Sequence, residues 1–270
     1  MSYYDQLLQA WGDAFHPEHN PAGYKIMAVA ENKLMWHMLK ARLAQQQPLD
    51  AATGYTSSAG CDAIRSAIAA FMSRDIFSSV QADPSHFVVS GGVGAVSSRV
   101  FAFYLLPPSD GHQLPAAHTP SQVLNNLIFS IADAGDAIIV PAPYYLGFDM
   151  DTRVRAAVSI FPAHRSPPAF LLTQQALAAA AALAVAAGKT LRALLICSPD
   201  NPTGRLLLPS EIQLAAQFAR ENGLHFICDE IYAKSVFAEG DASAFVSSAD
   251  CARDDLESGR LHILCVNCFS

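Results

Sequence analysis

Runs of consecutive apolar residues alternate along the chain with stretches whose apolar positions recur at helical spacing. The runs are Phe87-Val88-Val89-Ser90, Asp136-Ala137-Ile138-Ile139-Val140, Arg192 through Ser198, and Leu224-His225-Phe226-Ile227-Cys228. Uninterrupted apolar runs of this length predict strands of a parallel sheet covered on both faces, since a strand wetted on one side would alternate apolar with polar. Between them, Asp62–Ser73 carries Ile64, Ile68, Phe71 and Met72 at helical spacing. Gln174–Ala187 is an alanine-rich helix stopped by Gly188. Pro209 through Arg220 opens on a proline with Glu211 close behind and closes at Asn222-Gly223, a good helix stop. Strands alternating with helices predict an α/β fold with a mostly parallel sheet.

Arg99–Gln122 breaks the pattern. It holds Pro107-Pro108, Ser109-Asp110-Gly111, Pro115 and His118-Thr119-Pro120, and it reads as a loop longer than compact domains normally tolerate. With it excised, Ala95–Ser98 would run directly into Val123–Phe129 as one amphipathic helix.

Composition narrows the class. The 270 residues are 51% hydrophobic and 15% charged, which excludes disorder and allows one large domain or two small ones. A net charge of −7 offers no basic field for a phosphate backbone, so no nucleic acid partner is expected. The longest uncharged apolar stretch, Ala176–Ala187, is too short for a bilayer, and Met1–Gln6 does not open like a secretory signal, so no membrane association is expected. Six scattered cysteines include Cys197 and Cys228 inside apolar runs, read as buried free thiols. The lone Cys265-Val266-Asn267-Cys268 has no second pair to complete a zinc site, so no metal is expected. This usage suits a reducing, cytoplasmic compartment.

Ligands of open α/β sheets sit beyond the carboxyl ends of the strands. There stand Gly92-Val93-Gly94-Ala95, Pro143-Tyr144-Tyr145-Leu146-Gly147-Phe148, Asn201-Pro202-Thr203-Gly204 and Asp229-Glu230-Ile231-Tyr232-Ala233. Each has a plain structural reading as a turn, a cap or a rim aromatic. Together they offer an anion cradle, a stacking face, a neutral donor, a buried acid and a phenol, which suits a flat, phosphorylated, nitrogen-containing aromatic ring.

These motifs, with Ala30-Glu31-Asn32-Lys33-Leu34, Gly54–Gly60 and the longer run Pro141–Asp149, resemble the fold-type I pyridoxal-phosphate (PLP) enzymes of aminotransferase class I/II, in the branch of 1-aminocyclopropane-1-carboxylate synthase-like proteins. The resemblance implies a three-layer α/β/α sandwich and an amino acid substrate, transaminated or subjected to elimination. It implies that Asp229 pairs with the pyridinium nitrogen, that Asn201 and Tyr232 bond the phenolic oxygen, and that Tyr145 stacks on the ring, with Tyr144 as second choice. The amides of Val93 and Gly94 would hold the phosphate. Tyr55 would reach the phosphate of a neighbouring subunit, which implies a homodimer. The Glu31-Asn32 turn would lie near the substrate entrance.

The resemblance fails at one place that matters. The family's Schiff-base lysine would fall near Phe269, where there is none, so no catalytic residue is assigned. Lys234 follows Tyr232 too closely to replace it and reads as a surface residue. The phosphate-binding arginine and the carboxy-terminal small subdomain are also missing. The expected organisation is therefore residues 1–50 as an arm with part of the small domain, and residues 51–270 as an incomplete PLP-binding large domain, with a non-family insert at 99–122. Both that insert and 266–270 are expected to be translated non-coding sequence, which sequencing the transcript would decide. The chain as written is expected not to turn over. The alternatives are a catalytically dead fragment that pairs with a full-length homologue, and a nicotinamide-dependent oxidoreductase built on Gly92-x-Gly94.

Overall fold

A computed structural model describes residues 3–26, 34–45, 57–89, 122–237, 245–257 and 263–266. The chain divides into two compact units: residues 1–55 with 113–118 and 270, and residues 56–112 with 119–269. The described part of the first holds helices α1 (Tyr3–Gly12) and α2 (Trp36–Leu43) and a turn closed by backbone bonds between His16 and Asn20.

The second unit opens with α3 (Asp62–Asp75) and carries the sheet. In chain order its described elements are α4 (Gln122–Ile131), β1 (Ala137–Ala142), α5 (Gly147–Arg153), β2 (Ser159–His164), α6 (Gln174–Ala186), β3 (Leu191–Cys197), α7 (Pro209–Glu221), β4 (His225–Asp229), α8 (Ser248–Cys251), α9 (Arg253–Glu257) and β5 (Ile263–Val266). The sheet order is β2-β1-β3-β4-β5, and every neighbouring pair is parallel.

Alternation along the strands builds two cores. Ile139, Leu194, Ile196, Phe226 and Cys228 face α6 and α7, whose Leu177, Ala180, Ile212, Ala215 and Phe218 cover them. Ile138, Val140, Ala193, Leu195, Cys197 and Ile227 face the opposite layer, covered by Leu124 and Ile128 of α4 and Phe148 of α5. Both faces are thus apolar, which is why the runs show no period-two pattern. The result is the three-layer α/β/α arrangement with a parallel sheet.

Two elements differ from the sequence reading. β2 does not read as a strand in the sequence, because Pro162 and His164 interrupt its apolar character. It lies at the sheet edge, where a missing ladder donor is tolerated. Conversely, Phe87–Val89 is outside the sheet: its backbone is extended at Phe87, and Val89 donates to the Ala59 carbonyl at 2.9 Å rather than to a strand. The expected helix over 123–129 is present as α4, whereas 95–98 and nearly all of the proposed insert lie outside the described residues.

The chain winds from β1 outward to β2, then returns past β1 to β3 and proceeds to β4 and β5. The strand order therefore reverses between β1 and β3, the kind of switch point at which open sheets bind ligands. There the ladder runs only from Ala137–Leu191 to Ile139–Leu194, so Val140–Ala142 and Leu195–Cys197 are unpaired to each other beyond it.

Candidate functional site

Four strand ends surround this opening. At the end of β4, Asp229 sits in register with Cys197 of β3, and its carbonyl accepts the Ser198 N–H at 2.9 Å. Alternation directs the Asp229 side chain to the face of Ile227 and Cys197, toward the α4–α5 layer. The carboxyl is buried, accepts one backbone N–H, that of Ile231, at 3.1 Å, and has its pKa raised to about 6. Burial is the chief cause, the charge of Glu230 adds to it, and the Ile231 hydrogen bond opposes it.

Tyr232 follows a single turn later and is half-buried. Burial raises its phenol, Cys197 and Asp229 add to that, and a hydrogen bond with the Asn201 side chain pulls the other way. Cys197 is buried beside the same groups. Burial pushes its thiol well above the usual range, Asp229 pushes it further, and the Asn201 backbone N–H opposes. Asn201, Asp229, Tyr232 and Cys197 are therefore one cluster.

The loop carrying Asn201 is braced from within. Gly204 N–H donates to the Asp200 carbonyl at 2.7 Å, Asp200 N–H to the Arg205 carbonyl at 2.8 Å, and the Thr203 hydroxyl to the Asp200 carboxylate. Arg165, just past β2, forms a buried ion pair with Asp200 at 3.1 Å. Its guanidinium also donates to the Ala142 and Pro143 carbonyls.

At the end of β1 the two tyrosines diverge. Tyr144 packs against the α4–α5 core and hydrogen-bonds Asp149; burial first, then the Asp149 charge, raises its phenol. Tyr145 is exposed, its ring edge-on to Phe148 at 5.4 Å and lying over Gly147. A Cβ at Gly147 would come within 2.2 Å of that ring, so only glycine permits this placement. Tyr145 is thus the more exposed of the two tyrosines at the strand end.

Val93, Gly94, Tyr55 and Phe269 lie outside the described residues, as do Glu31 and Asn32. Lys234 is exposed, with its ammonium 3.4 Å from the Asp75 carbonyl. Among the described residues no group of three or more His, Cys, Asp and Glu could hold a metal, and no helix is long and apolar enough to cross a membrane. Cys197 and Cys228 are buried free thiols. Sequence reasoning missed Arg165 and Asp200. Asp200 directly precedes the Asn201-Pro202-Thr203-Gly204 motif, but nothing marks Arg165, because its role comes from a partner distant in sequence.

A buried carboxyl and an amide–phenol pair at a switch point suit a protonated heteroaromatic ring carrying a hydroxyl, so the residues fit such a group. Comparison with known proteins bears on the same elements. Solved structures of Thermus thermophilus aspartate aminotransferase match with a TM-score of 0.58 at 24% identity, over 86% of this chain and 50% of that one, a likeness of fold. "1-aminocyclopropane-1-carboxylate synthase 5" of Oryza sativa is 31% identical over 93% of this chain and 45% of its own length, and "1-aminocyclopropane-1-carboxylate synthase 2" of Cucurbita pepo is 30% identical over 92% and 47%. The chain thus spans about half the length of the curated relatives it matches. The family model described as "Aminotransferase class I and II" matches residues 120–270, a stretch that contains every described strand and the Asn201–Asp229–Tyr232 cluster. The chain belongs to the aminotransferase class I and II family.

Proposed function

We propose that residues 51–270 are the cofactor-binding large domain of a pyridoxal-phosphate enzyme acting on amino acids, by transamination or elimination. The observation that carries this is the buried Asp229 carboxyl beside the hydrogen-bonded Asn201–Tyr232 pair at the β1–β3 opening. When bound, the cofactor supplies an electron sink for a carbanion formed at the substrate.

The chain's own residues then have separate tasks. Asp229 holds a proton between its carboxylate and the ring nitrogen. Its ionised form is disfavoured by burial, and a cation at bonding distance reverses that penalty. Asn201 donates its amide N–H to the ring oxygen, and Tyr232 donates its hydroxyl. Tyr145 covers one ring face and excludes water from it. Val93 and Gly94 amides would hold the phosphate, and Tyr55 would serve the site of a second subunit in a dimer. The family match favours this reading over the nicotinamide one.

Lys234 favours a second reading alongside the first. Its exposed ammonium is turned to Asp75. This supports a chain that holds the cofactor reversibly without turnover, whether alone or paired with a homologous subunit. One titration tests both. Purified protein mixed with pyridoxal phosphate should develop a shifted absorption band that Asp229→Ala weakens, and borohydride should leave no covalent adduct. No spectral change at all would refute the cofactor reading, and an adduct would refute the reversible one.

A further inference from the structure

The crevice between β1 and β3 raises a physical problem. Their ladder stops at Ile139–Leu194, and Pro141 has no N–H to extend it. Yet the stacking tyrosine follows β1 and Asn201 follows β3. Backbone pairing does not set the distance between them.

Arg165 spans that gap. Its backbone N–H donates to the Ala142 carbonyl at 3.0 Å, and its Nε points to the same carbonyl at 3.3 Å. Its Nη2 donates to the Pro143 carbonyl and to both Asp200 oxygens, at 3.4 Å and 3.1 Å. Asp200 in turn closes the turn that presents Asn201. One planar guanidinium thus joins the ends of β2, β1 and β3, a bridge that a lysine's single ammonium cannot reproduce. Both side chains are almost wholly buried, at 1% and 5% exposure. A buried pair of charges is seldom the most stable way to fill such a volume, so stability alone does not account for it.

We propose that Arg165, through its buried pair with Asp200, is a positioning residue that sets the separation of Tyr145 from the Asn201–Tyr232 pair, and so the width of the ring slot. The proposal rests on the cofactor reading. Arg165 touches no reacting atom. It acts by holding the two walls at ring thickness, so its loss weakens ring binding and alters the environment of the ring oxygen.

The test compares wild type, Arg165→Lys and the paired variant Arg165→Met/Asp200→Asn. The pair removes both charges and keeps a carboxamide oxygen for Thr203. Each protein is checked for folding by circular dichroism and thermal melting, then titrated with pyridoxal 5′-phosphate while the chromophore spectrum is recorded. The paired variant should fold and bind about tenfold more weakly or worse, with its bound absorption maximum shifted. Arg165→Lys should retain the fold and show a smaller loss. If wild type binds and both folded variants match its affinity and spectrum, the pair is merely structural and the proposal is overturned while the cofactor reading stands. If the paired variant does not fold, wild-type affinity and spectrum in Arg165→Lys overturn it. If wild type itself does not bind, the cofactor reading fails and the positioning role fails with it.

Discussion

Asp229 carries a measurable penalty in the protein without its cofactor. In the unfolded chain an aspartate titrates near 3.8, whereas in the fold Asp229 titrates at about 6. Folded protein therefore binds more protons than unfolded protein between those values. Its stability falls as pH rises through that window. The difference of roughly two units, at about 1.4 kcal/mol each, gives a penalty of about 3 kcal/mol, fully present above pH 6 and absent below about pH 4. Asp229→Asn removes the charge and keeps an oxygen for the Ile231 N–H. Urea unfolding of both proteins from pH 4 to pH 8, followed by fluorescence, reads this directly. The stability of the variant minus that of wild type should grow by about 3 kcal/mol from pH 4 to pH 7. Any constant offset from placing an amide there does not affect the slope. A difference that stays flat across the range would refute the buried, destabilised carboxyl and the pairing role built on it. Excess pyridoxal phosphate should stabilise wild type more than the variant, because only the carboxylate can answer a ring cation.

Other consequences can be checked separately. Tyr232→Phe removes one donor to the ring oxygen and should weaken pyridoxal phosphate binding by about 1.5 kcal/mol, roughly tenfold, with little change in melting temperature. Arg165→Met alone strands the buried Asp200 charge and should cost about 3–5 kcal/mol in chemical unfolding. Glu211 behaves oppositely to Asp229. Burial pushes its carboxyl up, but Arg205 and the Leu172 and Leu208 amides win and hold it below the usual range. Its contribution is present above pH 4.5 and lost as pH falls through the lowered value, so Glu211→Gln should destabilise by about 1–3 kcal/mol at pH 7 and progressively less in acid. Lys234→Ala breaks only an exposed contact to Asp75 and should change stability by less than about 1 kcal/mol. It should also leave cofactor affinity unchanged, and a large loss there would contradict the surface assignment.

Local chemistry made much of this protein legible in one dimension. Ile138–Val140, Leu194–Cys197 and Phe226–Cys228 are apolar on both faces, and only a sheet sandwiched between helices buries both. The stop at Asn222-Gly223 and the proline start of α7 are equally local, since they depend on backbone conformation at a few positions. Asn201, Asp229 and Tyr232 stand out in the sequence because each lies at or just past the end of an apolar run. What the sequence could not yield depends on neighbours far along the chain. β2 is a strand because it lies beside β1 at an edge that tolerates Pro162, not because of its own pattern. Phe87–Val89 has the pattern of a strand but lies outside the sheet, because its partner is the Ala59 carbonyl rather than a neighbouring strand. In the sequence, resemblance alone favours Tyr145 over Tyr144. Tertiary packing supplies the physical distinction, turning Tyr144 into the core and laying Tyr145 over Gly147. Arg165 meets Asp200 only because the crossover from β2 through α6 returns the chain past β1 to β3, and no spacing along the chain encodes that meeting. The sequence alone determined which residues must be buried and where strands hand over to chemistry. The fold decided which of those residues share one dry volume, since that depends on the order in which strands lie side by side.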